Sequence, residues 1–264
     1  MTNFQQRSVT GFIFAGTILT CSHYGGIPLL VMLAIVVIMC LYEWTQIIFK
    51  LDGREANIPM PFVISFVGLC LFFFYDFYNE QIDDDIIWYL MLGYFGYFLF
   101  FMFKIFPLIK NIPFNILLGF IYIITPIAAA LKIGTDLMWL LPFLWCSDTG
   151  AYFIGKYFGS TPLLPAVSPK KTVEGLLGGF ITCLLYAAIL MHFKIIELPL
   201  TGLCLSLAAA GLGTLGDLSE SLVKRQAKIK DSSHFLPGHG GFLDRFDSFL
   251  FFVPAAYFIL KHLH

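Results

Sequence analysis

The sequence has few charges: Asp, Glu, Lys and Arg make up only 12% of its 264 residues, about half the share in an average soluble domain. The charges are concentrated in short stretches, so the chain lacks the evenly charged surface of a water-soluble protein. Because 58% of the residues are hydrophobic, an intrinsically disordered chain is also excluded. The net charge of -1 excludes the strongly basic surface that nucleic-acid binding requires.

The sequence also lacks closely spaced cysteines, which excludes two common kinds of site. The six cysteines lie far apart, without a C-x-x-C pair and without a neighbouring group of His residues. Neither a structural zinc site nor a dithiol redox motif fits this spacing. Most of these cysteines lie inside apolar runs, and we interpret them as small hydrophobic side chains.

Long apolar runs dominate the sequence, and most are long enough to cross a bilayer as a helix of about 17–25 residues. They are predicted near residues 9–23, 27–48, 60–78, 86–106, 112–131, 136–157, 173–193, 198–217 and 246–262. About nine spans leave few residues for loops, so we predict one all-α, polytopic integral membrane domain over residues 1–264. The first run is short for a full crossing of the hydrocarbon core of about 30 Å.

Basic residues predict the orientation of these spans, because Lys and Arg in short loops stay on the cytoplasmic side. With a cytoplasmic N-terminus, only Lys132, Lys194 and Lys261 of the 16 Lys and Arg residues face the other side. The polar loops between the later spans are therefore predicted to face the cytoplasm.

Chemically functional side chains are concentrated in residues 216–248, which contain five carboxylates and five basic groups. Asp217, Ser221 and Lys224 have the spacing of one helix face, and Asp244 and Asp247 repeat this pattern where the last span begins. Carboxylates beside cations suit Mg²⁺-assisted phosphoryl or nucleotidyl transfer, since oxygens hold the metal and cations bind phosphate. The glycine-rich turn at 237–241 offers backbone N–H groups to a phosphate. The alternative interpretation is a solvated loop.

A second polar region covers residues 147–156 and 168–175. Asp148 lies at the end of a predicted span, which indicates a bound cation or a water-filled cleft, or else a position in the headgroup zone. Ser168 and Pro169 have the pattern of the N-cap and first residue of the next span. Lys170 and Lys171 would then favour an anion at that helix N-terminus. Membrane topology alone is an equally good explanation for the two lysines.

Three further features have competing explanations. The G-x-G-x-x-G pattern at 211–216 has no preceding strand, so close helix packing explains it better than dinucleotide binding. The G-x-x-x-G spacing of Gly175 and Gly179 predicts a helix contact, either within one protomer or between two in a homodimer. Glu43, in an apolar run, is either functional or a structural hydrogen-bonding group near the membrane surface.

Residues 221–247 resemble the signature of the phosphatidate cytidylyltransferases, also named CDP-diacylglycerol synthases. The matching residues are Ser221, Lys224, Arg225, Lys230, Asp231 and the run from Leu236 through Asp247. The resemblance extends over the C-terminal half through 147–152, 168–175 and Gly216-Asp217. One departure is Val173, where the family commonly has Trp. The N-terminal half is similar only in hydropathy and in Glu43-Trp44.

The resemblance implies an inner-membrane enzyme that uses Mg²⁺ to convert CTP and phosphatidate into CDP-diacylglycerol and pyrophosphate, with a second cation left open. In this interpretation residues 1–131 supply the N-terminal helices and 132–264 the catalytic half. The implied metal ligands and catalytic groups are Asp217, Asp244 and Asp247, with Asp148 as a further ligand and Lys224 as a further catalytic group. The implied substrate-binding residues are Lys170, Lys171, Ser221, Arg225, Lys230, His239, Gly240, Gly241 and Arg245.

Other activities explain parts of this pattern. A CTP-dependent lipid kinase would use a similar nucleotide site, but the full signature at 221–247 favours cytidylyl transfer. A transporter would place ionisable groups near mid-membrane, whereas these are predicted at one surface. A non-catalytic lipid-binding protein gives no reason for paired carboxylates beside a row of cations.

Overall fold

The structure is a computed structural model that describes residues 3–51, 53, 89, 92–93, 96, 112–233, 235 and 240–263. This part of the chain is mostly helical, as predicted. Five of its helical stretches have the length and composition of membrane spans: Gly26–Leu51, Phe114–Phe158, Val173–His192, Pro199–Gln226 and Leu243–Leu263. The helical membrane class is therefore confirmed. The count of about nine spans stays a prediction, because the run at 60–78 and most of 86–106 lie outside the described residues.

The described helices follow the predicted runs closely. They are α1 (Asn3–Tyr24), α2 (Gly26–Leu51), α3 (Ile112–Ile133), α4 (Leu137–Phe158), α5 (Val173–His192), α6 (Pro199–Gln226) and α7 (Leu243–Leu263), with a 3-10 turn at Gly134–Asp136. The 45-residue stretch Phe114–Phe158 thus contains two helices and the turn between them. Helix α1 has 22 residues but is not among the five stretches that are long and apolar enough to span.

The chain packs as two compact units, which divide α6 and α7 between them. The first unit consists of residues 1–137 and 222–246, and the second of residues 138–221 and 247–264. The predicted division into N-terminal helices at 1–131 and a catalytic half at 132–264 stays a prediction.

The first unit is held together by packing between α2 and α3. Trp44 is fully buried, and its Nε1 donates a hydrogen bond to the carbonyl oxygen of Asn115 at 2.9 Å. Its ring lies 5.5 Å from the ring of Tyr122, measured between centroids. Gly119 faces the same indole so closely that an added Cβ would overlap it. The missing side chain at Gly119 therefore provides the space that Trp44 fills.

Small residues bring α4 and α5 together in the second unit. A Cβ added to Gly178 would overlap Ile154, and one added to Gly179 would lie 2.8 Å from the carbonyl oxygen of Ser147. Gly175 approaches the carbonyl oxygen of Ala151 in the same way. The predicted G-x-x-x-G contact is thus made within one protomer, and the homodimer stays a prediction.

The G-x-G-x-x-G segment lies inside α6, as the packing interpretation requires. A Cβ on Gly213 would lie 3.1 Å from Leu144 and 3.7 Å from Ser248. The glycine therefore allows a close helix contact. The segment lies within a helix and has no strand directly before it, unlike a dinucleotide-binding motif.

A small hairpin precedes α5 and corrects one prediction. Strands β1 (Pro162–Leu164) and β2 (Ser168–Thr172) pair antiparallel, with Pro162 opposite Thr172 and Leu164 opposite Ser168. The prediction that Ser168 and Pro169 begin the helix was wrong, because both belong to β2. The N-cap is Thr172, whose Oγ1 accepts a hydrogen bond of 3.1 Å from the backbone N–H of Gly175.

Substituting Gly119→Ala should destabilise the first unit, because the new methyl group meets the buried ring of Trp44. Overpacking of this kind costs about 1–3 kcal/mol, which lowers Tm by about 2–4 °C for each kcal/mol. Thermal unfolding of the purified protein in detergent measures the change. Gly211→Ala is the matched control, since a Cβ there meets nothing within 4 Å and Ala favours a helix. An unchanged Tm for Gly119→Ala would contradict the packing described above.

Candidate active site

One group of predicted site residues lies in the second unit, where β2 meets α6. The ammonium group of Lys171 forms an ion pair with Oδ2 of Asp217. The hydroxyl of Ser221, one turn further along α6, donates to Oδ1 of the same carboxylate at 3.1 Å. The side chains of Lys171 and Asp217 are 28% and 35% exposed, so an incoming ligand can reach both. Lys171, predicted in a different polar region from Asp217 and Ser221, is thus brought next to them.

Asp247 approaches this part of α6 through its backbone. A Cβ added to Gly216 would overlap the carbonyl oxygen of Asp247, so the two helix backbones are nearly in contact. Gly216 immediately precedes Asp217, which places Asp217 and Asp247 at the same level of two adjacent helices. The other predicted residues of this unit, Asp148 on α4 and Lys170 on β2, are exposed.

A second group lies in the first unit and centres on Asp244. Its Oδ1 pairs with the ammonium group of Lys224, and each of these side chains is 9% exposed. Its Oδ2 accepts hydrogen bonds from the backbone N–H of Ser232 at 3.0 Å and of Gly241 at 2.8 Å. The hydroxyl of Ser232 lies 3.0 Å from the same oxygen. The ion pair is therefore buried and supported by backbone donors, which is the condition for such a pair to be tolerated.

Helix α6 ends in a hydrogen-bonded turn directly after Lys224 and Arg225. The N–H of Ile229 donates to the carbonyl oxygen of Lys224 at 3.0 Å, and the N–H of Lys228 donates to that of Arg225 at 3.1 Å. This is the hydrogen-bond pattern of a Schellman motif, in which Lys228 adopts the left-handed conformation with φ 57°. Arg225, Lys230 and Arg245, predicted to contact phosphates, are exposed.

Two glycines before α7 lie so close to carboxylates that a side chain would not fit at either position. Gly240 has φ 81°, and a Cβ there would lie 2.7 Å from Oδ2 of Asp244. A Cβ on Gly241 would overlap Glu43 and the hydroxyl of Ser232. His239, predicted to contact substrate, lies outside the described residues.

Glu43 belongs to this group, although the sequence left its role open. It is fully buried, and its carboxylate accepts hydrogen bonds from the backbone N–H groups of Phe242 at 2.9 Å and Leu243 at 2.8 Å. The hydroxyls of Ser232 and Ser233 also donate to it. The signal that pointed to this residue was an ionisable side chain inside an apolar helix.

A cavity of about 390 Å³ lies beside the second group. It is lined by Tyr42, Gln46, Lys50, Ser232, Ser233 and Phe235. The lining combines one cation, several hydrogen-bonding groups and two aromatic rings whose centroids are 6.0 Å apart. It therefore offers contacts to both polar and apolar parts of a ligand.

The carboxylates differ in how well they suit a metal ion. Within the described ranges, no three or more His, Cys, Asp and Glu side chains form a group able to hold one. Mg²⁺ commonly uses only one or two carboxylates and completes its shell with waters and substrate phosphates. Asp217 fits this kind of site, because each of its oxygens has one hydrogen-bonding partner and a second lone pair. Asp244 fits less well, since its Oδ2 already receives two hydrogen bonds from backbone N–H groups and its Oδ1 binds Lys224.

Comparison with known proteins identifies the family of the chain. The cytidylyltransferase family matches residues 5–263. The phosphatidate cytidylyltransferase of Haemophilus influenzae is 30% identical over 95% of this chain and 96% of its own length. Those of Bacillus subtilis and Staphylococcus saprophyticus are 49% and 45% identical over 118 residues, which are 44% of this chain. These two alignments span less than half of each relative, at 44% and 45%. With a family match over nearly its whole length, the chain belongs to the cytidylyltransferase family.

Proposed function

We propose that this chain is a phosphatidate cytidylyltransferase, which transfers CMP from CTP to phosphatidate in phospholipid biosynthesis. The products are CDP-diacylglycerol and pyrophosphate. The observation that carries the proposal is the buried ion pair of Lys224 and Asp244, formed by two residues of the signature at 221–247. Charges are costly inside an apolar protein, so a buried pair on span ends is more readily explained by chemistry than by stability.

The reaction needs no nucleophile from the protein. A phosphate oxygen of phosphatidate attacks the α-phosphorus of CTP, the new P–O bond forms, and the bond to the pyrophosphate oxygen breaks. Negative charge moves onto the leaving pyrophosphate during this step. Catalysis then consists of positioning both phosphates and stabilising that charge with fixed donors.

In this proposal, lysines supply those donors. An ammonium group has three N–H donors, so Lys171 can keep its bond to Asp217 and still donate to phosphate oxygens. Lys224 is held in one position by Asp244, with 9% of its side chain exposed. The aspartates thus hold each ammonium group in a defined position before substrate arrives, and the exposed Arg225, Lys230 and Arg245 supply further cations for the phosphate groups.

Asp217 and Asp247 are the residues that would hold Mg²⁺, together with substrate phosphates. When bound, the metal supplies positive charge to the phosphate oxygens. Asp148 is a further ligand in this proposal, and a second cation remains part of it. For Asp244 to bind the metal it would have to release Lys224 or one of its backbone donors.

The proposed location is the cytoplasmic face of the inner membrane. Phosphatidate keeps its acyl chains in the bilayer, and CTP comes from the cytosol, so the two meet at the level of the headgroups. The distribution of Lys and Arg supports this orientation of the loops that contain Lys171 and Lys230.

The purified protein in detergent, given labelled CTP, phosphatidate and Mg²⁺, should release pyrophosphate and form lipid-linked CMP. The labelled products are separated by thin-layer chromatography. Chelation of divalent cations should abolish turnover. Release of CDP with a newly phosphorylated lipid would instead identify a lipid kinase and contradict the proposal.

Replacing Lys171→Met should lower kcat about 10²–10³-fold, as expected for loss of one donor to the charge that develops in the transition state. Steady-state kinetics of CDP-diacylglycerol formation measure this change. Lys194→Met is the control, because Lys194 lies in the turn after α5 and not at the site. Equal activity of the two variants would remove Lys171 from the mechanism.

The metal assignment is tested with Asp217→Asn, which should raise the Mg²⁺ concentration for half-maximal activity at least about tenfold. Asp244→Asn should lower activity and Tm but change the Mg²⁺ dependence less, because Asp244 is occupied by Lys224 and backbone donors. Asp136→Asn, in the 3-10 turn, is the control. A larger Mg²⁺ shift for Asp244→Asn than for Asp217→Asn would reverse the two assignments.

A further inference from the structure

We infer that Glu43, in the N-terminal half of the chain, is a positioning residue for the loop between α6 and α7, which contains Ser232, Ser233 and Phe242. Its carboxylate holds both the segment containing Ser232 and the start of α7, and through them it fixes the Lys224–Asp244 ion pair. The inference rests on the proposed function, because it assigns Glu43 a part in that reaction.

The contacts of Glu43 are directed to two places in the loop. Its Oε2 accepts from the hydroxyl of Ser232 at 2.7 Å and from the N–H of Leu243 at 2.8 Å. Its Oε1 accepts from the N–H of Phe242 at 2.9 Å and from the hydroxyl of Ser233. Four donors thus converge on an acceptor-only carboxylate. One side chain thereby connects Ser232 and Ser233 with the residues at the start of α7.

The backbone groups that Glu43 binds belong to the beginning of α7. The first N–H groups of a helix have no partner within the helix, and they lie at its positive end. A carboxylate from α2 therefore does what an N-cap side chain does elsewhere, and it fixes where α7 starts. Asp244 is the second residue of that helix, so its position depends on this start.

Ser232 links Glu43 to Asp244 directly. Its hydroxyl lies 2.7 Å from Oε2 of Glu43 and 3.0 Å from Oδ2 of Asp244, and its N–H also donates to Asp244. Gly241 completes the link, because its N–H donates to Asp244 while the absence of a side chain admits the carboxylate of Glu43. A displacement of Glu43 is therefore transmitted to the ion pair through Ser232 and through the start of α7.

The other face of the same segment lines the cavity described above. Ser232 and Ser233 line it together with Gln46 and Lys50 of α2. Glu43 lies on α2 as well, so the same helix lines the cavity and binds the two serines that line it. Loss of the anchor should alter both the cavity and the ion pair.

Packing of α2 does not explain Glu43. The adjacent Trp44 already joins α2 to α3 through its ring and its hydrogen bond to Asn115. A buried carboxylate is costly to desolvate, whereas an apolar residue would serve a purely structural contact at lower cost. The four hydrogen bonds that the Glu43 carboxylate accepts from the loop offset this cost.

The test compares Glu43→Gln with Trp44→Phe. Glutamine has the same size but replaces one acceptor oxygen with an NH₂ group that faces donors, so the loop should lose part of its anchor. We expect Glu43→Gln to lower kcat and kcat/KM together by about 10–100-fold, the usual effect of a supporting side chain behind a reacting group. Trp44→Phe removes a buried hydrogen bond away from the loop and should lower Tm with little change in kcat.

Two further measurements separate positioning from general destabilisation. Glu43→Asp keeps the charge on a shorter side chain and should recover part of the lost kcat. In a double-mutant cycle, Glu43→Gln and Ser233→Ala should be non-additive in kcat, because they remove the same hydrogen bond. Additive effects, or a kcat for Glu43→Gln equal to that of Trp44→Phe, would overturn the inference.

Hydrogen exchange distinguishes failure of this inference from failure of the proposed function. In Glu43→Gln the amides of Phe242 and Leu243 should exchange faster than in the unaltered protein, whatever reaction is catalysed. If the unaltered protein forms no CDP-diacylglycerol, the proposed function is wrong. If it does, but exchange at these amides is unchanged by the substitution, Glu43 does not position the loop.

Discussion

The carboxylate of Asp244 joins three parts of the first unit: Lys224 at the end of α6, Ser232 in the loop that follows, and Gly241 just before α7. An ammonium group at this depth needs a counter-charge, and a carboxylate needs donors for its remaining lone pairs. Both needs are met only if the loop returns to the end of α6. The loop between Lys224 and Asp244 therefore has to be long enough to fold back and bring the two side chains together. Gly240 and Gly241 allow its backbone to lie next to the carboxylate.

The second unit contains a similar Lys–Asp ion pair that is more exposed. Lys171 and Asp217 also form an ion pair, with Ser221 as an additional donor, but about a third of the Asp217 side chain is exposed. A buried pair holds its members in one geometry, whereas a partly exposed pair can exchange a partner for a phosphate oxygen or a cation. In the proposed reaction, the buried pair would fix a lysine and the partly exposed pair would contact the ligand.

Much of the fold followed from local patterns in the sequence. The helices lie where apolar runs of membrane-spanning length were predicted, and the family named from residues 221–247 was confirmed by the comparisons. The hairpin was missed because Ser168-Pro169 has the local pattern of a helix start, while pairing with Pro162 and Leu164 determines the strand. The contacts of Glu43 were not predictable, because its partners are between 189 and 200 residues away in the chain.

By itself, the sequence determined the helical membrane class, the family and the chemical groups available for catalysis, because hydropathy and motif spacing are properties of neighbouring residues. Tertiary structure alone decided which of these groups interact. Lys171 pairs with Asp217, Lys224 with Asp244, and Glu43 with the start of α7. Each of these contacts joins residues from different elements, so it depends on how the helices and loops pack, which no local pattern encodes.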